Sequence, residues 1–286
     1  MDMSATDAFR MLECDHRARS TVAPLEGGAR LRFQVAQALS QGRVTFDYQP
    51  VVRADNPDLP AFHEMLCRIE TLDGGRLPAG AFLPAVEAGP IGRAIDRLAL
   101  TRALQMLAAT PDLRLSVNLS PRSMGDEDWL SILTAAYRGN PGACGRLILE
   151  VTEDQALSDA AQTLEFMNFV RRMGPAFALD DFGAGATGFR HFRAFRFDIV
   201  KIDGSFVTGI DRDADSQVLL RCLKTVASHF DMMTVAERVE TQDEAVWLRE
   251  AGIDCLQGYL TGRPAAQPLS FRGRRNGGGF GLAAAG

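Results

Sequence analysis

The stretch Ala176-Phe177-Ala178-Leu179-Asp180-Asp181-Phe182-Gly183 decides how this chain is read. Apolar residues run straight into two adjacent carboxylates, then into a loop with glycines at 183, 185 and 188. A short apolar run of this kind reads as a buried strand. Two acids at its end are costly to desolvate unless a positive charge sits beside them. A divalent cation is the simplest partner.

Outward from this strand, helix and strand patterns alternate. Toward the C-terminus, Phe197 to Asp203 reads as a strand and Asp213 to Phe230 as a helix. Met232 to Glu240 is a strand, Gln242 to Ala251 a helix and Ile253 to Leu260 the last strand. Toward the N-terminus, a helix from the N-cap Ser158 to Met173 precedes the organising strand. Before it come a strand over Arg146 to Glu153, a helix over Glu127 to Tyr137, a strand over Leu113 to Ser120 and a helix over Arg93 to Ala109. Earlier still, the amphipathic segment Ala29 to Gln41 leads into strands at Val44 to Val52 and Phe62 to Ile69. The polar connector between those two, with Asn56, Pro57 and Pro60, is too short for a crossover helix. They are expected to pair antiparallel.

Eight strands mostly separated by helices favour a parallel sheet, and eight units over ~250 residues favour a closed (β/α)8 TIM-like barrel with an antiparallel first strand. A doubly wound open sheet is the alternative, but no G-x-G-x-x-G follows the first strand. The expected division is a poorly ordered segment 1–28, a barrel domain 29–266 and a Gly/Ala-rich tail 267–286. With about 28 residues before the first helix, no separate sensor domain is expected, and the chain is expected either to work alone or to be controlled through dimerisation or a partner docking on the tails.

Composition sets outer limits. Of 286 residues, 23% are charged and 46% hydrophobic, as in ordinary globular proteins. The net charge of −5 argues against binding DNA or RNA polymers or a membrane surface, though not against a small anion held through a metal. No apolar run approaches the ~20 residues of a membrane span, and residues 1–22 lack a signal-peptide core. Cysteines 14, 67, 144, 222 and 255 are odd in number and lack C-x-x-C spacing. They suit a reducing cytoplasm and form no zinc site.

Barrel enzymes place their chemistry at the C-terminal ends of strands. Those ends carry Glu64, Asn118, Glu150 with Glu153 beyond it, Asp180 and Asp181, Lys201 then Asp203, Glu237 then Glu240, and Gln257. Any one acid after a strand is ordinarily a helix cap or a solvated loop charge. The set is different, because a purely structural barrel has no use for carboxylates converging from five strand ends. Oxygen donors without His or Cys suit Mg2+ or Mn2+ and disfavour Zn2+. His63, adjacent to Glu64, should point to the opposite face and is read as structural. Arg68 shares the face of Glu64 and is placed to reach a phosphate. Such a site suits attack of activated water on phosphorus, with a lysine orienting that water.

The motifs Tyr48-Gln-Pro, Glu64-Met-Leu-Cys-Arg, Val117-Asn-Leu-Ser, Leu149-Glu-Val-Thr-Glu, Leu179-Asp-Asp-Phe-Gly, Val200-Lys-Ile-Asp, Ala236-Glu-Arg-Val-Glu-Thr and Gln257-Gly-Tyr follow in order between Ala29 and Pro264. Together they resemble the EAL-domain family of cyclic di-GMP phosphodiesterases. The resemblance implies a barrel with an antiparallel first strand, and Mg2+- or Mn2+-dependent hydrolysis of cyclic di-GMP to linear pGpG at a two-metal site. By the same resemblance, Glu64, Asn118, Glu150 and Asp180 bind one metal, Asp181 helps hold the second, and Glu237 acts directly or through water. Lys201 positions the attacking water, Glu153 braces the loop after Asp181, and Gln49, Arg68 and Gln257 contact substrate. Glu240 matches the family's second acid in its motif and is grouped with the substrate contacts. A homodimer and a regulatory protein partner are also expected.

Four positions depart from the family pattern. Met65 replaces Ala in the signature, and Ala184 and Ala186 replace a hydroxyl and an aromatic residue in the loop after the aspartates. Arg238 replaces a Gly. These departures keep a second reading open, a receptor that binds cyclic di-GMP or a protein partner without cleavage. A third is a metal-dependent barrel of other chemistry, such as enolisation.

Overall fold

A computed structural model describes residues 27–152, 156, 158–183 and 195–269. Glu153, the loop positions Ala184 and Ala186, most of the 1–28 segment and the tail beyond residue 269 lie outside the described residues.

The elements in chain order are α1 (Gly27–Ser40), β1 (Val44–Arg53), β2 (Pro60–Glu70), β3 (Arg76–Pro78), α2 (Ala79–Val86), α3 (Pro90–Ala109) and β4 (Leu115–Asn118). There follow α4 (Glu127–Gly139), α5 (Pro141–Cys144), β5 (Leu147–Thr152), α6 (Ala160–Arg171), β6 (Ala176–Phe182) and β7 (Ile199–Ile202). The last are α7 (Ala214–His229), β8 (Met233–Ala236), α8 (Gln242–Glu250) and β9 (Cys255–Leu256). The sheet runs β1-β9-β8-β7-β6-β5-β4-β2 and closes through β1–β2. The result is the closed eight-strand barrel with outer helices that the alternation predicts. β1 is antiparallel to both neighbours, and its register with β2 sets Gln49 opposite Glu64. β3 hangs on the end of β2, outside the closed ring.

Two apolar clusters follow from the period of two along each strand. Outward residues such as Val117, Leu149, Leu179, Val200 and Leu256 pack under the helices in the larger cluster. Met65 belongs to this outward set, so its replacement of Ala does not reach the barrel interior. Inward residues Val51, Phe62, Ile148, Ala178, Ile199, Val235 and Cys255 form a separate plug inside the barrel. The plug occupies one end of the interior and leaves the other for polar side chains.

Several elements differ from expectation. The eighth strand stops at Ala236 and the last holds only Cys255 and Leu256, because the chain there turns into loops that carry Glu237 and Gln257. The cap of α6 is Asp159, which accepts from the Gln162 N–H, and not Ser158. The sequence reading assigns no element to Arg76–Val86, where β3 and α2 form. Pro84 lies within α2 near its C-terminal end, so few helical hydrogen bonds are lost to it. Leu269 still touches the barrel, its N–H donating to His63 Nε2 at 3.2 Å. His63 thus faces away from Glu64, and burial pushes its pKa down to about 4, leaving it neutral.

Candidate active site

The inward residues two positions beyond the plug define the site. On β2 the step is Phe62 to Glu64, on β5 Ile148 to Glu150, on β6 Ala178 to Asp180 and on β7 Ile199 to Lys201. Past β8 and β9 it is Val235 to Glu237 and Cys255 to Gln257. On antiparallel β1 the step runs backwards, Val51 to Gln49. Residues two apart share a strand face, so all of these side chains meet in one layer at the C-terminal mouth.

Lys201 is the hub of that layer. Its Nζ lies 2.8 Å from Asp180 Oδ1, 2.8 Å from Glu237 Oε1, 2.9 Å from Glu150 Oε2 and 3.4 Å from Glu64 Oε2. Lys201 is 1% exposed, which makes it one of the larger fully buried side chains. Glu64 is held further by Asn118, whose Nδ2 donates to Oε1 at 3.1 Å, and by Gln257, whose Nε2 donates to Oε2 at 2.6 Å. Gln257 Nε2 also lies 3.4 Å from Gln49 Oε1. Gln49, Glu64, Asn118, Glu150, Asp180, Lys201, Glu237 and Gln257 thus meet from β1, β2, β4, β5, β6, β7 and the loops after β8 and β9.

The charges in this layer do not balance. Glu64, Glu150, Asp180, Asp181 and Glu237 face one lysine among the described residues. Burial and the Glu64 charge push Glu150 well above the usual carboxylate range, despite Lys201. Burial lifts Glu237 to about 7, against the pull of Lys201. Burial and Asp180 also raise Asp181. Burial alone would lower the Lys201 pKa, but Asp180, Glu150, Glu237 and Glu64 together outweigh it and hold the ammonium charged.

The donor set fits a hard cation. Asp180, Asp181 and Glu237 each offer an oxygen, all within 4.8 Å of one another. The layer is made of carboxylate and amide oxygens, with an excess of negative charge that an added divalent ion would neutralise. Asp181 adopts φ +54°, unusual for a residue with a Cβ, and such backbone strain concentrates at functional sites. Gly183 follows at φ +97°, where a Cβ would fall 2.5 Å from the Phe206 ring, so the turn out of β6 requires glycine.

Arg68 stands four residues beyond Glu64 on β2, roughly 13 Å further toward the mouth. Its Nε pairs with Asp47 Oδ2 at 2.9 Å, and Arg76 holds the other Asp47 oxygen at 2.8 Å. Arg68 is therefore fixed above the acids, not among them. The sequence reading does not single out Asp47. Its signal was its two-residue offset from Gln49, which puts it on the inward face of β1. Glu240 is exposed, and its backbone N–H donates to Glu244 at 3.0 Å. Its carboxylate is not among the four that surround Lys201. Glu244 was also missed as a loop organiser. Its buried carboxylate accepts from the N–H groups of Gly209, Glu240 and Thr241, tying the loop after β7 to the loop after β8.

The fold and site together define a barrel whose mouth gathers carboxylates from several strand ends around one buried lysine. The sequence pattern of the EAL domain matches residues 32–264, and the chain belongs to that family. The probable cyclic di-GMP phosphodiesterase PdeA of Escherichia coli is 31% identical over 240 residues, covering 82% of this chain and 32% of that protein. The cyclic di-GMP phosphodiesterase PdeB of Shewanella oneidensis is 30% identical, over 83% of this chain and 28% of the relative. This chain thus spans about a third of the length of these curated relatives. Among solved structures, the PaMucR phosphodiesterase in complex with c-di-GMP superposes with a TM-score of 0.75 at 29% identity, covering 82% of this chain and 97% of that one. The FimX EAL domain from Pseudomonas aeruginosa, bound to c-di-GMP, superposes equally well at 24% identity and covers 83% and 97% of the two chains, which speaks to the fold alone. No helix among the described residues is long and apolar enough to cross a membrane.

Proposed function

We propose that this chain hydrolyses one phosphodiester of cyclic di-GMP, giving linear pGpG, with Mg2+ or Mn2+ bound in the acidic mouth. The observation that carries the reading is Lys201 Nζ within 3.4 Å of four carboxylates from four different elements. Glu64, Asn118, Glu150 and Asp180 would hold one ion, and Asp181 with Glu237 would complete a second position. When bound, a divalent ion neutralises charge on the phosphate oxygens and lowers the pKa of water. The chain's own groups do the rest. Lys201, fixed by the carboxylates, donates a hydrogen bond to the attacking water and holds it in line with phosphorus. Gln49 and Gln257, side by side over Glu64, orient the substrate. Arg68, pinned by Asp47, stands where a phosphate entering the mouth would meet it. Glu153 would brace the loop after Asp181. Glu240 belongs with the substrate contacts only if that loop closes on bound nucleotide.

A second reading, binding without cleavage, draws on Arg238, which stands beside the acids at φ +54° where the family has a Gly. One experiment separates the two. Purified protein is incubated with cyclic di-GMP and Mn2+ or Mg2+, and the nucleotides are resolved by chromatography. The hydrolase reading expects pGpG, with Glu64→Ala and Lys201→Ala slowing its formation by about 10²–10⁴-fold. Bound but uncut nucleotide, in folded and metal-loaded protein, would leave only the receptor. A homodimer, a regulatory protein partner and a cytoplasmic setting belong to the same reading, and light scattering with and without the nucleotide tests the first.

A further inference from the structure

Arg238 is the residue in the mouth that the function above does not use. It follows Glu237 directly, and its backbone takes a left-handed conformation that disfavours residues with a Cβ. Its side chain lies across the neighbouring strand's end. In the barrel, β7 stands between β8 and β6. Gly204 lies just beyond β7, and a Cβ built there would fall 2.7 Å from Arg238 Cβ, 2.6 Å from Cγ and 2.3 Å from Cδ. The missing Cβ at Gly204 is thus what lets the arginine lie flat. A chain that starts past β8 and crosses Gly204 carries its guanidinium toward β6, where Asp181 lies near the C-terminal end of the strand. Asp203, one residue before Gly204, lies beside the same path.

The electrostatics agree with this path. Burial and Asp180 raise the Asp181 pKa, while Lys201 and Arg238 oppose the rise. Burial works to raise Asp203 as well, but bonds from Ser205 and the Arg238 charge turn the shift downward. The Arg238 side chain over Gly204 thus sets a second fixed cation beside the acid layer that surrounds Lys201. Asp181 is the outermost of the three acids whose oxygens lie within 4.8 Å of one another, and it is exposed.

We propose that Arg238 is a built-in cation that competes with a divalent ion at the outer position formed by Asp180, Asp181 and Glu237. This inference rests on the metal-binding reading above. The inner position, centred on Glu64, Glu150 and Asp180, shares only Asp180 with the outer one and is less affected. A positive charge near a bound divalent ion repels it with an energy that falls with distance and rises as water is excluded. The outer ion is accordingly held weakly, and removal of the arginine charge strengthens it.

The test is Mn2+ binding to metal-stripped protein, followed by calorimetry and by the loss of the free-ion electron paramagnetic resonance signal. Wild type, R238G and R238Q are compared, each checked for native circular dichroism. Both variants are expected to bind the weaker Mn2+ about tenfold more tightly than wild type. R238Q keeps most of the side chain over Gly204 and removes only the charge, so it separates repulsion from backbone relief. A shift in R238G alone would assign the effect to the backbone and overturn the proposal. Three superimposable isotherms with Mn2+ bound would overturn it while leaving the metal reading standing. No Mn2+ binding in any of the three would remove that reading and this inference together.

Discussion

Phe62 and Glu64 stand on the same face of β2, about 7 Å apart along the strand. One closes the barrel floor with Val51, Ile148, Ala178, Ile199, Val235 and Cys255. The other shares a lysine with Glu150, Asp180 and Glu237. Both side chains are nearly inaccessible, at 2% and 7% exposure, so burial alone does not tell floor from mouth. The floor is held by apolar area removed from water, which stabilises without regard to direction. The mouth is held by compensation among charges that each lost hydration, and it stabilises only while every partner stays in place. Fold and function have been given to adjacent layers of one interior.

The sharpest way to break this contrast is Lys201→Met. The four carboxylates would face one another without their shared cation, so metal-free protein should lose about 3–5 kcal/mol at neutral pH, and the reaction would lose its water-positioning group as well. Urea denaturation in chelator measures the first effect, and an unchanged midpoint would mean that charge compensation does not hold the mouth. Phe62→Ala attacks the floor instead. It should cost about 3–5 kcal/mol through the cavity it leaves, while turnover per folded molecule is kept. Lost turnover in well-folded protein would show that the two layers are mechanically one.

A smaller effect comes from a site in neither layer. Asp126 caps α4, accepting from the Trp129 N–H at 2.9 Å and pairing with Arg97 at 2.5 Å. Burial works to raise its pKa, but the bonds from Arg97 and Trp129 and the charges of Arg97 and Arg93 hold it below the usual value. With the native pKa lowered, its stabilisation is complete above the unfolded value near pH 4. That stabilisation fades as pH falls through the native value. Asp126→Ala should therefore cost about 1–2 kcal/mol at pH 7 and progressively less in acid. Melting curves of the two proteins from pH 7 to pH 3 should converge, and parallel curves would count against the pairing.

Most of the architecture was legible because strand and helix periods are local. The apolar runs ending in polar or charged residues placed Glu64, Asn118, Glu150, Asp180, Lys201, Glu237 and Gln257 at one mouth, and the short connector before β2 gave the antiparallel start. What escaped was non-local or broke a local rule. α2 formed across Pro84 because Phe82 and Val86 are buried against the rest of the fold. Asp47 takes its role only from Arg68 and Arg76, which close on it from elsewhere in the chain. Glu244 completes a capping box with Thr241 and also fastens the loop after β7 through Gly209, a link between distant loops that no local pattern reveals.

By itself the sequence determined which residues alternate, where acids end strands and which donors a cation would find. Those properties depend on neighbours along the chain. Only the tertiary structure decided that Lys201 stands between four carboxylates, that Arg238 lies over Gly204, and which end of the barrel is sealed by Phe62. These depend on how a closed ring of strands sets its register, because a shift of one residue on any strand would exchange its inward and outward side chains.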